Sequence, residues 1–183
     1  MRPIGLKNKD NITYLNGHVL KDIAVNYQTP LYILDETQLL KNINDYKTCF
    51  KSSMFKTSVV YASKALLTKE IVKIINEHDL YMDSVSLEDL YVAKESGFNM
   101  EHIVFHGNNK SIEELEYAVQ NDIGILVVDN LVELKRLVEI TNHFEKSIKI
   151  MIQYSSWPIN RCKEQSCVTD VHPPQAELQG EFY

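Results

Sequence analysis

Apolar, strand-like runs recur every 22 or 23 residues through the middle of this chain, and that beat sharply limits the folds open to it. The runs begin at Ser58 (SVVYAS), Tyr81 (YMDSVS), Ile103 (IVFHG), Ile125 (ILVVD) and Ile148 (IKIMI). Helically spaced apolar residues lie between them. Leu67, Ile71, Ile74 and Ile75 form one stripe, with Glu70, Lys73 and Glu77 on the other side. Leu87, Leu90, Tyr91 and Ala93 form a second that ends at Gly97, and Leu131, Leu134, Leu137 and Val138 form the fourth. The third, Ile112, Leu115 and Val119, is opened by Ser111 with Glu114 three residues on, the pattern of a capping box. Strands alternating with helices of this length predict βαβ units and a parallel sheet. No Gly-x-Gly-x-x-Gly follows any of the runs, which removes the main support for a dinucleotide-binding, doubly wound sheet. A barrel is favoured, yet eight units need roughly 200 to 250 residues. Five runs, with a possible earlier one at Leu31–Leu34, predict an α/β chain that is a partial (β/α)8 barrel of about five units.

Composition narrows the function classes. With 183 residues, 44% of them hydrophobic and 24% charged, the chain reads as an ordinary globular one. Its net charge of −6 argues against a nucleic-acid partner. No apolar stretch approaches the roughly 18 to 20 residues that span a bilayer, and the first ten residues have no hydrophobic core of a signal peptide. Neither a membrane nor export is expected. Three cysteines, Cys49, Cys162 and Cys167, make no disulfide framework and point to a reduced, cytoplasmic setting. Cys162 and Cys167 have no histidine at metal spacing and read as ordinary thiols, so no metal site is expected.

Polar residues close each apolar run, and in α/β proteins the carboxyl ends of strands are where ligands gather. Lys64 closes the first, Asp83 and Ser86 the second, His106, Asn108 and Asn109 the third, and Asp129 and Asn130 the fourth. Lys64 has two readings. It is a lysine snorkelling to solvent, or an amine nucleophile that forms an imine with a carbonyl cofactor. Asp129, directly ahead of a helix, reads as its N-cap. Asp83 has apolar neighbours and Ser84 or Ser86 available to cap, so its carboxylate needs a partner, Lys64 or a bound cation. His106, before Gly107, reads by itself as a satisfied loop histidine.

Four blocks together resemble a known family. They are Thr-Pro-Leu-Tyr-Ile-Leu-Asp-Glu (29–36), Tyr-Ala-Ser-Lys-Ala (61–65), the 83–98 stretch Asp-Ser-Val-Ser-x-x-Asp-Leu-Tyr-x-Ala-x-x-Ser-Gly-Phe, and Ile-Val-Phe-His-Gly-Asn-Asn-Lys-Ser (103–111). They resemble the N-terminal half of the pyridoxal-phosphate-dependent basic amino-acid decarboxylases, which have the alanine-racemase-like fold. The stretch from His106 to Ser111 is most similar to the diaminopimelate decarboxylases. The resemblance implies a barrel whose first-strand lysine, matched by Lys64, holds pyridoxal 5'-phosphate. Asp83 matches a carboxylate near that group, and His106 is a further candidate to contact it. It also implies a small amino-acid substrate, with meso-diaminopimelate converted to L-lysine and carbon dioxide, and homodimers among full-length members. An ornithine- or arginine-type decarboxylase fragment, or a non-catalytic module that binds pyridoxal phosphate, are the other readings.

The likeness runs from about residue 12 to 152 and divides the chain into three. Residues 1–28 are expected to pack on a separate β-domain, 29–152 to form the cofactor-binding partial barrel, and 153–183 to be an irregular tail. The family ends its fifth strand in Arg-Val-Asn-Pro, whereas Gln153 stands at the arginine position here. Beyond it neither likeness nor periodicity survives, and Pro173-Pro174 disfavours helix and strand. A shifted reading frame or aberrant end is the expected origin of that tail. A later ring-stacking histidine, a glycine-rich phosphate loop and a glutamate for the pyridine nitrogen have no match, so the chain is expected to be inactive by itself.

Overall fold

The protein was described from a computed structural model, which describes residues 3–154, 165–171 and 179–181, with side chains up to Gln153. The chain divides into two units, Met1–Val59 and Val60–Tyr183.

The first unit holds an antiparallel meander of β1 (Leu6–Lys9), β2 (Ile12–Leu15) and β3 (His18–Val19), then α1 (Leu20–Tyr27) and α2 (Glu36–Cys49). Asp10-Asn11 and Asn16-Gly17 take up the left-handed backbone at both reversals, the residue types that two-residue hairpins need. Asp35 caps α2 by accepting from the Gln38 amide at 3.1 Å. The early strand expected at Leu31–Leu34 is not formed, and all four residues are exposed. Apolar composition does not make a strand without a ladder partner, and the sheet of this unit is completed by β1 to β3.

The second unit realises the beat. Parallel strands β4 (Val60–Ala62), β5 (Tyr81–Ser84), β6 (Ile103–Phe105), β7 (Ile125–Val128) and β8 (Ile148–Tyr154) lie side by side in chain order. Helices α3 (Lys69–Glu77), α4 (Leu87–Glu95), α5 (Ile112–Gln120) and α6 (Leu131–Phe144) connect them. Right-handed crossovers between strands that never reverse their order put every helix on one face. This is barrel winding. A doubly wound sheet would reverse its order and cover both faces.

Burial follows that geometry. Met82, Ser84, Ile103, Phe105, Leu126 and Ile150 point to the helical layer and are fully buried. They meet Ile71, Val72 and Ile75 of α3, Leu90 of α4, Leu115 of α5 and Leu137 of α6, which are equally buried. Each apolar side chain among them contributes about 1.5–3 kcal/mol of burial. The opposite face carries Val60, Ala62, Tyr81, Asp83, Val104, Ile125 and Lys149, which the register aligns laterally, and it is partly open, with Val60 45% exposed.

Part of the 153–183 segment departs from the irregular tail expected of it. Strand β9 (Gln165–Val171) pairs antiparallel with β8, with Ile148 opposite Val171, and β10 (Gln179–Glu181) pairs with β9. A parallel strand at a sheet edge offers an unpaired row of amides and carbonyls, and a β-branched stretch can complete it. Cys162 and Pro173-Pro174 lie outside the described residues.

Candidate functional site

Every βα connection of the second unit ends in a capping side chain, so four helix amino termini gather at the carboxyl rim of the sheet. Thr68 accepts from the Ile71 amide, Ser86 from Asp89, Ser111 from Glu114 and Asn130 from Glu133. The capping box expected at Ser111 and Glu114 is complete, since the Glu114 carboxylate accepts from the Ser111 amide at 2.7 Å. Asn130 caps α6 where Asp129 was expected to. The helix begins one residue later than that reading assumed, and an amide oxygen at Asn130 serves the same donor.

Lys64 stands on a single 3-10 turn, Ser63–Ala65, directly after β4, and is exposed. Two side-chain bonds fix that turn. The Tyr61 hydroxyl donates to the Leu66 carbonyl at 2.7 Å, which closes the loop around Lys64, and burial raises the Tyr61 phenol above its ordinary pKa. The buried Ser63 hydroxyl donates to Asp89 Oδ2 at 3.2 Å, and the same oxygen accepts from the Val85 amide at 3.0 Å. Asp89 thereby ties the Lys64 turn to the loop that follows Asp83.

Asp83 pairs laterally with Ala62 and Val104, so it lies on the open face, one strand from the Lys64 turn. It does not ion-pair with Lys64. Its Oδ1 is shielded from solvent and has no hydrogen-bond partner among the described residues, an unusual condition for a carboxylate oxygen. His106 extends β6 by one residue. Its amide donates to the Ser84 carbonyl at 2.8 Å, and alternation along the strand puts it on the Asp83 face. Gly107 then turns the chain with φ of 133°, a conformation closed to other residues. Gln153 is exposed near the end of β8. Thus three strand ends bring Lys64, Asp83 and His106 to one rim.

Behind this rim lies a pair to which the motifs gave no role, although Lys110 stands within the 103–111 block. Lys110 and Glu133, with 1% and 5% of their side chains exposed, form an ion pair at 2.7 Å. The Lys110 ammonium also donates to the Gly107 carbonyl at 2.5 Å and sits 5.8 Å from the Phe105 ring centre. Asp89, Ser63 and Tyr61 were legible only in part, as members of the motifs around Lys64 and Asp83. Glu133 left no sequence signal beyond its place three residues after a cap.

Comparison with known proteins assigns the family. The profile of a family described as "Pyridoxal-dependent decarboxylase, pyridoxal binding domain" matches residues 36–166, most of the chain. The chain belongs to this family. Diaminopimelate decarboxylase of Staphylococcus aureus is 39% identical over 135 residues, 74% of this chain and 32% of the relative. The Bacillus subtilis enzyme of the same name is 38% identical over 131 residues, 72% of this chain and 30% of the relative. The chain therefore spans about a third of the length of these relatives. Among solved structures, diaminopimelate decarboxylase from M. jannaschii superposes with a TM-score of 0.76 at 27% identity, covering 82% of this chain and 36% of that one. The Helicobacter pylori enzyme, complexed with L-lysine, gives a TM-score of 0.63 at 28% identity over 68% of this chain and 31% of that one.

Pyridoxal phosphate is the cofactor of the family, and the residues of the rim fit it. An exposed amine at Lys64 and an unpartnered, shielded carboxylate oxygen at Asp83 stand on adjacent strand ends, as a group with both an aldehyde and hydrogen-bond donors requires. Among the described residues no helix is long and apolar enough to cross a membrane.

Proposed function

We propose that this chain supplies the cofactor-holding part of a diaminopimelate decarboxylase, which converts meso-diaminopimelate to L-lysine and carbon dioxide in the cytoplasm. The observation that carries this reading is the register of Ala62 with Asp83, which sets the Lys64 turn and the unpartnered Asp83 oxygen side by side. The match of the diaminopimelate decarboxylases to most of the chain supports the substrate.

Pyridoxal phosphate, when bound, supplies a ring that accepts the electrons released as the carboxylate departs. Lys64 Nζ would hold the cofactor's aldehyde carbon and give it up to the incoming substrate amine, with Asp83 and His106 beside it. Asp83 Oδ1 accepts a hydrogen bond from the substrate ammonium and orients it, which ends the isolation of that oxygen. The carbon that loses carbon dioxide must gain one proton, and the Lys64 ammonium, freed by that exchange, would supply it. The fixed 3-10 turn limits how far Nζ can wander while it does so.

The functional division is into 1–28, 29–152 and 153–183, with the middle part carrying the cofactor and full-length relatives working as dimers. Borohydride reduction in the presence of pyridoxal phosphate, followed by peptide mapping, tests the assignment. Label is expected on Lys64; label on Lys69 or Lys73 instead overturns it. The 183-residue chain, assayed by itself with excess cofactor, is expected to release no carbon dioxide from meso-diaminopimelate above a Lys64→Ala control, because its parallel strands supply one arc of the rim. Turnover well above that control refutes this expectation.

A further inference from the structure

Two buried charges in the helical layer have no place in the chemistry above. Lys110 ends the His106–Lys110 loop, and Glu133 lies in the first turn of α6, with α5 and β7 between them. Removing an ammonium and a carboxylate from water costs several kcal/mol for each, and a fold that needed only packing could fill this space with apolar residues at no loss of stability. Nor is the pair richly supported. Lys110 is the single polar contact of Glu133 Oε1 among the described residues. What the pair does achieve is geometric. Glu133 is held by its place in the capped first turn, since the Asn130 side chain accepts its amide at 2.9 Å. It draws the Lys110 ammonium inward over the Phe105 ring, and the ammonium in turn takes the Gly107 carbonyl at 2.5 Å. Gly107 has the positive φ at which the chain leaves β6, and fixing its carbonyl fixes the Gly107–Asn108 peptide, one residue beyond His106. The other side of His106 is already fixed by its amide bond to Ser84.

We propose that Lys110 and Glu133 are a positioning pair, which clamps the Gly107 peptide from behind and so holds His106 on the rim beside Asp83 and Lys64. The importance of His106 to the cofactor rests on the function proposed above; the clamp itself does not. The effect of the pair passes through one carbonyl.

The test compares the chain with a Lys110→Met/Glu133→Leu double variant, which removes both charges at similar volume, and with Glu133→Gln. Three quantities are read: unfolding by urea, amide hydrogen exchange over Gly107–Ser111, and the half-saturating pyridoxal phosphate concentration for borohydride labelling of Lys64. The double variant is expected to unfold at the same or higher urea concentration, yet to exchange its loop amides at least tenfold faster and to need severalfold more cofactor. Glu133→Gln, which leaves a charged Lys110 behind, is expected to loosen the loop as well. Loop exchange within twofold of the parent in a folded double variant overturns the proposal, because the pair would then be packing alone. Should the parent chain fail to label at Lys64, the functional reading fails, and loop exchange still decides the clamp.

Discussion

Replacing Asp89 with alanine tests how the rim is built more directly than replacing any residue that touches the cofactor. Asp89 Oδ2 receives the Ser63 hydroxyl at 3.2 Å and the Val85 amide at 3.0 Å. Ser63 is only 3% exposed, so its hydroxyl cannot turn to water, and an orphaned buried donor costs about 1–3 kcal/mol. Val85 is exposed, so water replaces its lost acceptor, for a net loss of about 0.5 kcal/mol. Asp89 also stands in the first turn of α4, where a negative charge contributes about 0.3–1 kcal/mol. Asp89→Ala is therefore expected to lower stability by about 2–4 kcal/mol, and Asp89→Asn, which keeps one acceptor oxygen, by about half as much. Urea unfolding followed by far-ultraviolet circular dichroism measures both. A double-mutant cycle with Ser63→Ala isolates the shared bond, and the expected coupling is about 1 kcal/mol. If Asp89→Ala costs less than about 0.5 kcal/mol, or if Ser63→Ala costs the same in both backgrounds, the two loops are not tied together as described.

Two further outcomes follow from the packing and electrostatics. A Cβ at Gly124 would come within 1.9 Å of the Glu101 carbonyl oxygen, a backbone atom that cannot swing aside. Gly124→Ala is thus expected to cost at least about 3 kcal/mol, at the upper end of overpacking effects, and the same unfolding assay reads it. Burial raises the Glu133 carboxyl above its ordinary pKa, with Asp129 adding to the rise and Lys110 and Arg136 opposing it. The folded state therefore holds this proton to higher pH than the unfolded chain does, and stability from this group is full below about pH 4.5 and falls as pH rises through the folded value. The stability difference between the parent and Glu133→Gln, measured across that range, is expected to shift against the parent as pH rises. A difference independent of pH would show that this carboxyl titrates as it does in the unfolded chain.

Much of the architecture was legible because its determinants are local. A strand begins near each expected start, with β4 opening two residues after Ser58 and the other four where the runs begin. Side-chain alternation and helical spacing need no knowledge of distant residues, and a cap such as Ser111 with Glu114 is written within four positions. The same holds for Lys64 at the end of the first run, where the motif and the strand end coincide.

What failed or stayed hidden depends on a partner far along the chain. Leu31–Leu34 has the composition of a strand but no ladder beside it, whereas Gln165–Val171 becomes one because β8 presents an open edge. Asp83 stood out as a carboxylate in need of a partner, but only the register showed that it faces the open side and that its Oδ1 has none. Lys110 and Glu133 look like any surface charges of a βα protein until the fold buries both within 2.7 Å of each other. The sequence by itself determined the winding, the helix starts and the lysine, since periodicity and capping act within a few residues. Only the tertiary structure decided which polar atoms are shielded and what they meet, because burial is a property of every strand and helix packed around them.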